Sequence, residues 1–333
     1  MNVTNKILIG YWVKRFLLEY LITERNLSIN TRSSYRDMLI LLLPYTAKQL
    51  KKSVDHIEVT DLSPQLLRKF LTHLEQNRHC GAVTRNQRLG AIHALARFIG
   101  EHHPEYVYWC TQVCLIPFKK TTHPTITYLE KLEMDALLAA PNRDTPQGLR
   151  DYVMLLFLYN SGARASEAAK LKISDIDWYT QCARITGKGN KQRTCPLWAL
   201  TMEQLRQITA QRGLDQHVFI NRNGQPLTRF GIHTLVERNG ERAAVQIPSL
   251  RTKQISPHVI RHTTATHLLR AGVDINTIRA WLGHVSINTT NIYAEGDLET
   301  KARALLTCVP KTKDETQIHW RDQPELMEFL RGL

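Results

Sequence analysis

The chain has few of the features that would place it outside a cell or within a membrane. Six cysteines among 333 residues stand at 80, 110, 114, 182, 195 and 308. That scatter excludes a dense disulfide framework, and the one close pair lacks CxxC metal spacing, so reduced thiols in a cytoplasm are expected. Long apolar runs are missing as well. The longest, Met38 to Leu43 and Tyr152 to Tyr159, are too short to cross a bilayer. The opening MNVTNKILIGYWVKRF has no basic stretch leading into a sustained apolar segment, which argues against a secretory signal. No internal repeat, low-complexity tract or convincing Asp/Glu/His metal cluster is present, and no cofactor is expected.

The chain does have positive charge. Lys and Arg number 44 against 30 Asp and Glu, a formal net charge of +14, which favours a polyanionic partner and speeds encounter with one. Up to residue 116 there are 15 basic and 9 acidic residues, and beyond it 29 and 21. The excess is shared by both parts, as expected if both touch one nucleic acid. The length suits two ordinary domains.

Residues 1–115 read as a four-helix, DNA-binding domain with a basic side. Tyr11, Phe16, Leu17, Tyr20 and Leu21 give a one-sided helix. A second follows Ser28 and Asn30 and ends at Pro44, a third starts at Ser63-Pro64, and a fourth starts near Thr84. Arg85, Arg88 and Arg97 fall on the expected outer face of the fourth and are candidates for contact with DNA backbone. Residues 116–126, with two prolines and no periodicity, read as a linker whose Lys119 and Lys120 are further candidates. Residues 127–310 read as a second, mostly helical domain, and 311–333 as a tail. In that domain YLEKLEMDALLAA is amphipathic, with Leu129, Leu132, Leu137 and Leu138, and 152–159 form a buried helix. Period-two spacing between Ile173 and Leu197 predicts a small antiparallel sheet with a GKGNK hairpin.

The second domain also carries a chemical set. SGARASE holds Arg164 and Glu167, TGKGNKQR holds Lys188, HVIRH holds His258 and Arg261, LGH holds His284, and NIY holds Tyr293. Cleaving a phosphodiester without metal needs a nucleophile in line with the leaving oxygen, cations on the non-bridging oxygens and an acid for the leaving alkoxide. Two arginines supply pH-independent, forked donors. His258 and Arg261, three apart after Pro257, project together from one helix start, where backbone N–H groups favour phosphate. Lys188 on a glycine-flanked hairpin suits the acid, and Glu167 suits an anchor for a guanidinium or histidine.

This ordered set resembles the tyrosine recombinase, or phage integrase, family over about 127–300. The first domain, with LSINTRSSYRDML and TRNQRLGAIHALARF, looks like that family's helical core-binding domain. Ala163 and Ala165 depart mildly from the larger apolar residues common beside the first arginine. The resemblance implies a mainly α fold with a small antiparallel sheet, and two domains forming a C-shaped clamp on double-stranded DNA. It implies attack by Tyr293 to give a 3′-phosphotyrosyl link and a 5′ hydroxyl, without metal or ATP. Arg164, His258, Arg261 and His284 would stabilise the pentacovalent state, with Lys188 as acid. It also implies a homotetramer on two DNA sites, possibly with related recombinases, in a cytoplasmic, nucleoid-associated setting. Leu326, Phe329 and Leu330 in the tail would suit docking on a neighbouring protomer or folding back. The alternatives are a type IB topoisomerase and a DNA-binding protein that has lost catalysis. The target sequence, and integration versus excision, inversion or resolution, do not follow from the fold.

Overall fold

The computed structural model describes residues 8–121 and 127–283. The chain divides into two units, Met1–Pro124 and Thr125–Leu333. Among the described residues no helix is long and apolar enough to cross a membrane.

In the first unit, helix α1 (Ile9–Arg15) runs straight into a π-helical stretch, Phe16–Glu24. Phe16 and Leu21 are five apart and both fully buried. An α-turn would rotate them to different faces, whereas the wider π-turn returns both to the core. Helix α2 (Ile29–Leu50) is capped by Ser28, which accepts from the Thr31 N–H. It does not end at Pro44 as expected. The carbonyl that proline leaves without its helical donor belongs to Ile40, which is 59% exposed, so water can serve it and the helix continues. Helix α3 (Pro64–Gln76) starts at the Ser63 cap, and Leu66, Leu67, Phe70 and Leu74 are buried as the periodicity predicts.

Helix α4 (Ala82–His102) buries Leu89, Ile92, Leu95 and Phe98. One expectation for it fails. Arg85 is not on an outer face but only 7% exposed, and its Nη1 donates to the Pro117 carbonyl at 2.9 Å. Asn86 holds the Lys119 backbone from both sides, through its amide nitrogen and its oxygen. The start of the expected linker is thus bonded onto α4, which puts Arg85 out of reach of a DNA backbone. Arg97 is exposed, and Arg88 is half-buried with Nη1 on the Ser34 carbonyl. Lys119 and Lys120 are exposed, with the Lys119 ammonium bonded to Glu75. A further helix, α5 (Val107–Cys114), completes the unit.

The second unit is built around helix α7 (Pro146–Ser161), whose residues 152–158 are all buried. It packs against α6 (Lys131–Ala139), α9 (Ala199–Thr209) and α11 (Pro257–Arg270), and a helix covered on several sides must be apolar all round. In α6, Leu132 is 77% exposed rather than inward. Its neighbour Glu133 is buried instead, bonded to Ser249 and Lys253. The short α8 (Ala165–Ala168) follows α7 after Gly162.

Strands β1 (Ile176–Asp177), β2 (Cys182–Thr186) and β3 (Gln192–Pro196) form the antiparallel sheet in that order. Ala183, Ile185 and Cys195 face the core, and burial pushes the Cys195 thiol up to about 12. Helix α10 (Arg229–Gln246) begins at a Thr228 cap. The last described helix, α12 (Ile275–Leu282), starts at an Asp274 cap that accepts from two N–H groups.

Candidate active site

Three chain reversals bring the site together. The first is the end of α7. Gly162 adopts φ +59° and turns the chain so that Ala163 is buried and Arg164 emerges at the start of α8. A side chain there would meet two obstacles, since a Cβ would lie 2.4 Å from Leu282 Cδ2 and the backbone is left-handed. Gly162→Ala is therefore expected to cost about 2–5 kcal/mol, the sum of left-handed strain and overpacking. Chemical unfolding of the purified variant measures this, and a loss below about 1 kcal/mol would mean that the turn relaxes freely.

Arg164 is anchored within its own turn. Its Nη1 donates to Glu167 Oε1 at 2.6 Å, and its backbone N–H donates to Glu167 Oε2 at 3.0 Å. Glu167 is buried while Arg164 keeps 39% of its side chain exposed, so the carboxylate is fixed and the cation faces outward. Burial alone would raise the Glu167 carboxyl. The bonds and charge of Arg193 and Arg164 outweigh it and hold the group below the ordinary carboxylate range.

The second reversal is the entry to α11. Ser256 accepts from the Val259 N–H, and Pro257 takes the first helical position. His258 and Arg261 follow on adjacent turns. Arg261 is 1% exposed, and its Nη1 and Nη2 donate to the Gly162 and Leu282 carbonyls, both at 2.7 Å. Two carbonyls from separate segments thus fix the guanidinium plane. The ring of His258 lies edge-on to that of His262, with centroids 4.2 Å apart. Desolvation first, and then the charges of Arg261 and Arg164, depress the His258 pKa, so its imidazole is neutral at neutral pH and able to accept a proton.

His262 lies deeper. Burial, then His258 and Arg261, lower its pKa from 6.5 to about 4. In that interval the unfolded chain binds a proton that the folded one excludes, so stability rises with pH and falls as pH drops below 6.5. The His262→Gln variant is expected to lose up to about 1.4 kcal/mol per pH unit of this slope, one proton's worth. Guanidinium unfolding between pH 7 and pH 4 gives the slope, and an unchanged curve would rule out His262 as its source.

The third reversal is the β2–β3 turn. Lys188 opens a short helical turn, Lys188–Asn190, in which Gly189 takes φ +72°. The preceding Gly187 abuts the first reversal, because a Cβ there would lie 3.2 Å from Glu167 Oε1. His284 and Tyr293 lie outside the described residues.

Arg164, His258 and Arg261 line one open cleft of about 450 Å³, whose other walls include Arg229, Phe230 and His233 from the first turns of α10. Among the described residues no group of three or more His, Cys, Asp or Glu side chains could hold a metal ion. The cleft's chemistry is that of a cationic anion site. Sequence reasoning missed His262 and Arg193, and it missed the α10 residues. Arg193 had a legible signal, because strand alternation places it beside Ile185 on the inward face.

The phage integrase family matches residues 127–299, and that family's N-terminal SAM-like domain matches residues 13–102. The putative integrase/recombinase y4rC of Sinorhizobium fredii (strain NBRC 101917 / NGR234) is 35% identical over 324 residues, 96% of this chain and 97% of that protein. The tyrosine recombinase XerC of Staphylococcus haemolyticus (strain JCSC1435) is 31% identical, covering 90% of this chain and 97% of its own. In fold the chain is similar to XerH site-specific recombinase bound to palindromic difH substrate, with TM-score 0.63 and 21% identity over 90% of this chain and 83% of that one. The lambda integrase dimer bound to a COC′ core site gives TM-score 0.63 and 14% identity over 87% and 78%. With both family domains matched, 96% of its length aligned to a relative 35% identical and its arginines converging on one cleft, this chain belongs to the phage integrase family and is a tyrosine site-specific recombinase.

Proposed function

We propose that the cleft binds the scissile phosphate of a double-stranded DNA recombination site and that Tyr293 attacks it. The observation that carries this reading is the placement of Arg164, Arg261 and His258 on one cleft with both guanidiniums anchored. Each arginine meets non-bridging oxygens, whose charge grows as the pentacovalent state forms. The Tyr293 oxygen forms the new bond to phosphorus as the bond to the 5′ oxygen breaks. A histidine, His258 or His284, takes the tyrosine proton, and Lys188 protonates the leaving 5′ oxygen. One phosphoester replaces another, so a 5′ hydroxyl from a partner strand reverses the step without ATP or metal.

Residues 1–115 act as the core-binding domain and 127–310 as the catalytic domain, joined by 116–126, with 311–333 as a tail. Arg88, Arg97, Lys119 and Lys120 meet DNA backbone. Arg229, Phe230 and His233 line the same cleft, where they meet the DNA beside the cut. Four copies on two sites complete the exchange, possibly with related recombinases, on the nucleoid in the cytoplasm.

The test is to incubate the protein with the DNA flanking its own gene, quench in SDS and map any covalent adduct. An adduct at one position supports site-specific recombination. Adducts at many positions point to topoisomerase-like relaxation, and salt-sensitive binding without any adduct would overturn the catalytic reading.

A further inference from the structure

Arg193 stands at the junction of the three reversals. From β3 its Nη2 donates to Glu167 Oε2 at 2.8 Å and its Nε to the Trp281 carbonyl at 2.8 Å. Only 10% of its side chain is exposed. The packing around it depends on missing side chains, since a Cβ at Gly283 would lie 3.2 Å from Arg193 Cδ. One guanidinium therefore ties the sheet whose turn carries Lys188 to the carboxylate that anchors Arg164. It ties the same sheet to the last turn of α12 at Trp281, three residues before His284.

The charges give this arrangement a second meaning. Glu167 paired with Arg164 alone would be a neutral couple facing the cleft. With Arg193 on the other oxygen, the three groups carry a net charge of one positive unit, and Arg193 itself is withdrawn from the cleft lining. The buried carboxylate is thus balanced from behind, while Arg164 keeps its field toward the open side.

We infer that Arg193 is a positioning residue for strand cleavage, which neutralises Glu167 from the buried side so that Arg164 acts on the phosphate as an uncompensated cation, and which aligns the Lys188 turn with the end of α12. This rests on the proposed phosphodiester chemistry. Arg193 does not touch the substrate and acts through Glu167, Arg164 and the Trp281 carbonyl.

The experiment uses the full chain and a labelled duplex carrying the gene-flanking DNA, with single-turnover adduct formation followed from pH 5 to pH 9. Arg193→Gln is expected to slow adduct formation by about 100-fold, the scale of a misplaced catalytic group, while DNA affinity changes by less than about 3-fold because backbone contacts dominate it. Its rate should also gain an acid limb at higher pH than in the unaltered protein. Without Arg193, burial raises the Glu167 carboxyl, and once it protonates Arg164 keeps its charge but loses the carboxylate that places it, so the limb reports lost placement. Glu167→Gln added to Arg193→Gln should erase that limb. Arg193→Lys should restore the pH profile but not the full rate, because an ammonium carries the charge without the fork that spans two acceptors. An Arg193→Gln protein that binds DNA and cleaves at the unaltered rate, or is slowed equally at every pH, would overturn the inference. Failure of the unaltered protein to form any adduct would instead remove the cleavage reading and this role with it.

Discussion

Tyr293→Phe is expected to abolish the covalent protein–DNA adduct while leaving DNA affinity within about 2-fold of the unaltered protein, since phosphate contacts elsewhere dominate binding. The change deletes one oxygen and keeps the ring. In the proposed reaction that oxygen is the only group that becomes bonded to phosphorus, and no other residue in the NIYAE stretch offers an equivalent nucleophile. Loss of a nucleophile from a site that acts as a unit costs on the order of 10,000-fold or more. The adduct should thus fall below detection on an SDS gel run beside the unaltered protein. Fluorescence anisotropy with the same duplex at two salt concentrations measures binding independently. An adduct formed by the Phe variant would remove Tyr293 from its role, whereas loss of both adduct and binding would mean that the change disturbs the fold.

Arg261→Gln combines two penalties. The residue is fully buried and bridges the Gly162 and Leu282 carbonyls. An amide cannot reach both, and each stranded carbonyl costs about 1–3 kcal/mol. Guanidinium unfolding should register a loss of about 3 kcal/mol, with a correspondingly lower midpoint. On DNA the same change removes a cation from the phosphate and should slow adduct formation by about 1,000-fold in the fraction that remains folded. The two effects separate when the rate is measured well below the melting transition. Full stability together with lost cleavage would confine Arg261 to chemistry, and the reverse result would confine it to structure.

What could be read from the chain in advance was local. Ser28 before α2 and Ser63 before Pro64 cap helices through bonds spanning three residues, and such short-range signals survive in one dimension. Arg164, Lys188 and the pair His258 and Arg261 were legible for a similar reason, because they lie at or near the starts of three short-range features, α8, the β2–β3 turn and α11. What escaped depends on distant partners. Arg85 reads as an outward arginine until the Pro117 carbonyl, thirty-two positions away, captures it. Pro44 reads as a stop until the exposure of Ile40 shows that water can serve the orphaned carbonyl. Leu132 and Glu133 exchange their expected places because Lys253 and Ser249 arrive from far along the chain to satisfy the carboxylate. Arg193 sits in the same stretch as Lys188, yet its purpose appears only when Glu167 and Trp281 converge on it.

The two carbonyls that receive Arg261 come from the turn after α7 and from the last residue of α12. Until both segments have closed, the guanidinium has no settled seat, and in the proposed reaction the phosphate would lack its second cation. A protein that breaks DNA strands and holds an end on itself is hazardous when only partly assembled, and under the proposed reaction an unfinished fold lacks one of the cations that cutting needs. On that reading, competence to cut would certify that the chain has finished folding.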